Sequence, residues 1–151
     1  MLEWLEASSV AVWVGTSPSV WAHPTVLTVH TAGMGILVGA SWMLDLRLLG
    51  INRHIPLSAF RWVFPAIALG LAMNLATGVL LFMKNATTWG TSIPFFVKMT
   101  LVVVAVGTLA PLRSRVLRDA DPGPARALAI VSLLAWAGAV TAGRLLAYLA
   151  V

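Results

Sequence analysis

Three ionisable side chains, His30, Lys98 and Arg144, lie within stretches otherwise made of apolar residues. On insertion scales a charged group at the centre of a bilayer costs roughly 2.5–3.5 kcal/mol, so each asks for a partner or a ligand. A neutral imidazole such as His30 is a common ligand of haem iron or copper. Lys98 suits a second axial ligand in its neutral form, or a cationic partner for a carboxylate. The planar fork of Arg144 matches a carboxylate such as a haem propionate. Each also has a plainer role. Lys98 and Arg144 have stems long enough to reach the headgroups, and His30 can hydrogen-bond to a Ser or Thr of a neighbouring helix.

The residues around His30 sharpen the choice. Gly33 and Met34 follow it at helical spacing, and Gly35 with Gly39 forms a GxxxG, a pattern that admits either a flat ligand or a second helix. Asn74, midway along another apolar stretch, is a candidate donor to an internal ligand, or else a link between helices. His23 stands two turns above His30 on the same face, about 10 Å away. The two histidines therefore cannot sandwich one haem, and His23 reads as an interface residue. His54 falls in a polar turn and reads as solvated.

These groups must be positioned by membrane helices. Among 151 residues 60% are hydrophobic and 10% charged, too few polar residues to cover a water-soluble domain. A helix needs about 20 residues to cross the hydrocarbon layer. Spans are predicted over about 24–44, 62–83, 94–111 and 127–150, forming an all-α four-helix bundle in a single domain. The first continues through Asp45 and Arg47 to a stop at Gly50. Pro24 and Pro94 open their helices, where a missing N–H is harmless. Residues 2–14 are too short to cross and read as a helix lying in the interface.

The net charge is +5, and seven of the ten basic residues (Arg47, Arg53, Arg61, Arg113, Arg115, Arg118 and Arg126) surround the first and third loops. That bias predicts cytoplasmic first and third loops, with both termini outside. It is an orientation signal and no nucleic-acid footprint. Trp13, Trp21 and Trp89 are expected at the outer boundary, Trp62 at the inner. On this topology His30, Lys98 and Arg144 share the outer leaflet. Asp45 and Arg47, two residues apart, are not on one helix face, so Asp45 is expected to meet another loop's arginine. Glu3 and Glu6 stand where a signal peptide would be basic, which argues against a cleaved leader. The absence of cysteine excludes disulfides, thiolate metal sites and c-type haem attachment. Phosphate-binding loops, dinucleotide glycine patterns, HExxH and Ser-His-Asp sets are missing as well.

The run VHTAGMGILVGASWMLDLRLLG (residues 29–50), with FFVKM opening the third span and AGRLLAY in the fourth, resembles an uncharacterised family of bacterial four-helix membrane proteins over nearly the whole chain. More distantly it is similar to the HemJ-type protoporphyrinogen oxidases and to the membrane domain of the copper resistance protein CopD. His30, the Arg47-Leu48-Leu49 run and Lys98 match positions of the HemJ pattern, where the histidine and lysine go with a b-type haem. Arg144 and Tyr148 belong to the first family's pattern.

The expectation is a bacterial inner-membrane redox protein carrying haem b. His30 is its axial ligand, Lys98 a second ligand or propionate partner, and Arg144 a propionate anchor, with Gly33, Met34, Asn74 and Tyr148 nearby. Its electrons pass to or from a quinone or a periplasmic protein. Three alternatives stay open: a HemJ-like oxidase, a CopD-like copper-handling protein, and a structural subunit of a homo-oligomer or larger membrane complex.

Overall fold

A computed structural model describes residues 2–149. Helices α1 (Glu3–Glu6) and α2 (Ser9–Thr16) precede four long ones: α3 (His23–Leu49), α4 (Val63–Lys84), α6 (Ile93–Leu117) and α7 (Arg126–Leu149). A single turn of helix, α5 (Ala86–Trp89), lies between α4 and α6, and 3-10 turns at Leu57–Phe60 and Gly123–Ala125 lead into α4 and α7. Among the described residues, four helices are long and apolar enough to cross a membrane. Much of their outer surface is large and apolar, with Leu69, Leu75, Val103 and Leu134 all more than half exposed. Such a surface suits hydrocarbon and no other solvent.

Local chemistry sets the helix ends. Pro24 lies in the first turn of α3. At its far end Gly50 adopts φ 113°, and the N–H of Ile51 returns to the Leu46 carbonyl at 3.0 Å. This closing bond and left-handed glycine stop the helix where the sequence predicts. Arg47 then fastens the turn, donating from Nε to the Ile55 carbonyl at 2.7 Å and from Nη2 to that of Arg53 at 3.0 Å.

Two predicted boundaries move. The interval 2–14 is no single interfacial helix: it breaks at Ser8, whose hydroxyl oxygen accepts from the Ala11 N–H at 3.3 Å and caps α2. The third span does not end near Pro111 but continues to Leu117. Pro111 is exposed and removes a single ladder hydrogen bond, which the rest of the helix tolerates.

Antiparallel α3 and α4 pack closely, as do α6 and α7, and α3 also lies along α7. Helices α4 and α6 barely touch along their lengths, though Phe82 stacks on Phe95 at 5.1 Å near one end. The core is a layer of Leu37, Leu44, Leu48, Ile67, Leu112 and Trp136 among buried alanines of α7. Lipid gives no hydrophobic drive to pair helices, so small residues that admit close van der Waals contact do that work. Gly33 and Gly70 mark the tightest approach of α3 to α4: a Cβ on Gly70 would lie 2.7 Å from the Gly33 carbonyl oxygen. Gly35 and Gly39 face open space, with nothing within 4 Å of an added Cβ. The GxxxG therefore makes no close helix contact among the described residues.

At the arginine end, Arg61 donates to the Leu117 carbonyl at 3.1 Å, and the Asp119 carboxylate accepts from the Ser58 N–H at 3.3 Å. At the other end, one Glu6 carboxylate oxygen accepts from the Thr87 N–H at 2.8 Å and its hydroxyl at 2.6 Å. Trp13, Trp21 and Trp62 are exposed, whereas Trp89 is half-buried against Val14, Val26 and Leu81.

Candidate functional site

His30 sits seven residues into α3, about 10 Å from the helix start at 1.5 Å per residue. Its Nδ1 is 2.8 Å from the Thr77 hydroxyl oxygen on α4. That hydroxyl donates its one hydrogen to the Met73 carbonyl at 2.6 Å. The oxygen can therefore only accept from His30, which assigns the ring proton to Nδ1. In the neutral ring Nε2 then carries the lone pair, and it has no hydrogen-bond partner among the described residues. An imidazole anchored through Nδ1–H and open at Nε2 is the form in which histidine ligates a metal. Gly78, one residue beyond Thr77, keeps the ring edge clear: a Cβ there would stand 3.5 Å from His30 Cε1.

Lys98 approaches from α6, half-buried and within electrostatic reach of His30. Its stem runs along the bare backbone of Gly143 on α7, where an added Cβ would lie 3.6 Å from Cε and 3.7 Å from Nζ. Of the three intramembrane polar groups, His30 thus packs against α4 and Lys98 against α7, with no hydrogen bond between the two among the described residues.

The third faces outward. Arg144 is exposed, its guanidinium 5.6 Å from the Tyr148 ring centre and 3.5 Å from the Tyr148 hydroxyl, itself an exposed residue. The spacing of four along α7 makes this a local pair on the outer surface of the bundle. Gly33, Met34 and Asn74 serve packing. Gly33 lies against Met73 and Asn74, Met34 packs on the core, and Asn74 Nδ2 donates to the Gly70 carbonyl at 3.1 Å. His23 is half-buried, with Nδ1 sealed and unpartnered, whereas His54 is exposed as expected. Among the described residues no three His, Asp or Glu side chains gather as a metal cage. Two open concavities, of about 450 Å³ beside Leu27, Thr28, Thr31 and Ala32 and about 130 Å³ beside Met43, Arg47 and Phe60, are lined by neither His30 nor Lys98.

Sequence reasoning missed Thr77. A threonine in a span reads as unremarkable, yet its spacing of four from Met73 lets it satisfy its own proton within the helix and present an acceptor to His30. It also expected Asp45 to meet an arginine. Instead Asp45 is buried with neither carboxyl oxygen hydrogen-bonded, while Arg47 on the same helix donates to two loop carbonyls.

Comparisons with family models, with curated proteins and with solved structures find no match.

Proposed function

We propose that the chain is a redox protein of a bacterial inner membrane that holds a b-type haem through His30, with its arginine end in the cytoplasm. The observation that carries this reading is the Thr77 relay, which presents a neutral imidazole with Nε2 available. The donor set fits a haem in two respects. His30 would supply an imidazole nitrogen to the iron, and Lys98 would supply either a second ligand or a cation for a propionate. It departs in two: Arg144, turned toward Tyr148, is no propionate anchor, and neither of the two concavities opens onto His30 or Lys98.

A bound haem would supply one-electron chemistry. The chain's own share is to fix the tautomer and plane of His30 and to bring the Lys98 amine from α6. It also presents the site from helices that lie in lipid, where a quinone or a periplasmic partner is the electron donor or acceptor. Thr77 acts as a positioning residue by holding Nδ1–H.

The test is an absorption spectrum of protein purified from cells supplied with haem, beside His30→Ala. A Soret band in the native chain that is lost in the variant supports the reading, and its absence from the native chain overturns it. Lys98→Ala should shift the band if the amine is an axial ligand and leave its position unchanged if it faces a propionate.

A further inference from the structure

Away from His30, at the arginine end, a second polar cluster lies sealed between α3 and α7. Asp45 is 1% exposed, Ser132 0% and Trp136 3%, and among their polar side-chain atoms both Asp45 carboxyl oxygens, Ser132 Oγ and Trp136 Nε1 lack a hydrogen-bond partner. Ser132 lies beside the Asp45 carboxyl without closing a well-formed hydrogen bond. Trp136 follows Ser132 by one turn on the same buried stripe of α7. Orphaned buried polar atoms are rare in folded proteins, and several together ask for an occupant.

Among the described residues no basic side chain hydrogen-bonds to Asp45. On α3, Arg47 is committed to the turn. Helix α7 carries no ionisable residue from Ala127 to Gly143, and Arg126 at its start is exposed. Helix α4 carries none from Val63 to Met83, while Arg113 and Arg115 of α6 sit at that helix's arginine end, one exposed and one half-buried. A carboxylate without a counter-charge in such surroundings is very costly, so a positive charge must come from outside.

We propose that Asp45 is an exchangeable proton site, filled from the arginine end. The chemistry selects the proton over a metal ion. The indole N–H of Trp136 cannot ligate a cation, and Asp45 with Ser132 offers three oxygens, fewer than a hard cation requires. A proton needs one oxygen. Hydronium at the cytoplasmic surface gives its proton to one Asp45 oxygen and leaves as water, and the second oxygen accepts from Ser132, Trp136 or an internal water. Asp45 lies four residues before the last residue of α3, about 6 Å of helix, so the path from the arginine-end solvent is one turn long. This site is separate from His30, fifteen residues away on the same helix, and does not depend on the haem reading.

The experiment is infrared spectroscopy of the full chain in lipid nanodiscs, with aspartate labelled by ¹³C at the side-chain carboxyl. The label reports three residues, Asp45, Asp119 and Asp121, of which the last two are exposed. The expected result is one labelled protonated-carboxyl band at neutral pH that shifts in D₂O and is lost in Asp45→Asn. Ser132→Ala and Trp136→Phe, which leave the acid in place, should each move that band without removing it. If all labelled aspartate appears as carboxylate, or if the band does not respond to D₂O, the proposal fails. A band that vanishes when sodium replaces potassium at constant pH assigns a metal cation instead and also overturns it. Should Asp45→Asn fail to fold, the native spectrum and Ser132→Ala decide the matter.

Discussion

His30 and Thr77 face each other across the α3–α4 contact, and the direction of their hydrogen bond is set by a third group, the Met73 carbonyl. The threonine hydroxyl has one proton and gives it away within its own helix, so the bond from His30 has a single possible polarity. Removing the hydroxyl in Thr77→Val should strand the Nδ1–H and destabilise the bundle by about 1–3 kcal/mol, the usual cost of an orphaned buried donor. Thermal unfolding in detergent measures that loss, and ¹⁵N resonances of the imidazole should show the fixed tautomer giving way to a mixture. Thr77→Ser, which keeps the acceptor, should retain both. An unchanged tautomer in Thr77→Val would remove the assigned role.

Glycine substitutions separate the helix contact that exists from the one the sequence advertises. A methyl on Gly70 would meet the Gly33 carbonyl oxygen at 2.7 Å and the Leu37 nitrogen at 2.7 Å, backbone atoms that cannot swing aside. Gly70→Ala should therefore push α3 and α4 apart and cost about 1–3 kcal/mol. Gly35→Ala and Gly39→Ala meet nothing and should leave the monomer unchanged or more stable by about 0.5–1 kcal/mol, through helix propensity. Unfolding midpoints for the three variants would decide it, and a large loss at Gly35 or Gly39 would show that this face is occupied.

The contrast shows what a linear pattern can hold. The four spans were legible because hydropathy and length act along the chain, and Gly50 because a helix stop is a local event. Pro111 misled for the same reason: an exposed proline costs one hydrogen bond, which packing elsewhere outweighs. Gly33 with Gly70 and His30 with Thr77 are matches between helices, each partner ordinary in its own segment. Arg47 was legible as a charge for topology, but not as the clasp of a turn. The arginine expected for Asp45 was to come from another loop, and no hydrogen bond from one reaches it.

Arg144 gives a prediction of indifference. Its guanidinium is exposed, and the hydrogen bond and ring contact it makes among the described residues are with Tyr148, one turn along α7. Arg144→Ala should not destabilise the bundle, since it removes a costly charge from an apolar stretch. It should leave any haem absorbance where it was, in contrast to His30→Ala. Loss of haem from Arg144→Ala would restore the anchor role that the geometry denies it.

Glu6 supplies a pH dependence outside the membrane spans. The hydroxyl of Thr87, and then its N–H, donate to the Glu6 carboxylate and hold it below the ordinary glutamate range, with desolvation opposing weakly. A carboxyl lowered in the folded state stabilises that state at every pH above its unfolded value, roughly 4.3, and the contribution disappears as pH falls through the lower folded value. Docking of α1 on α5 should thus be unchanged between mildly acidic and alkaline conditions and loosen only in stronger acid. The Thr87 amide resonance should follow this with a midpoint below that of a free glutamate side chain. Glu6→Gln, which accepts hydrogen bonds but does not titrate, should abolish the midpoint. A midpoint at or above the free value would mean that Thr87 does not hold the carboxylate in solution, leaving the packing of Val14 on Val26 and Leu81 to attach the N-terminal helices.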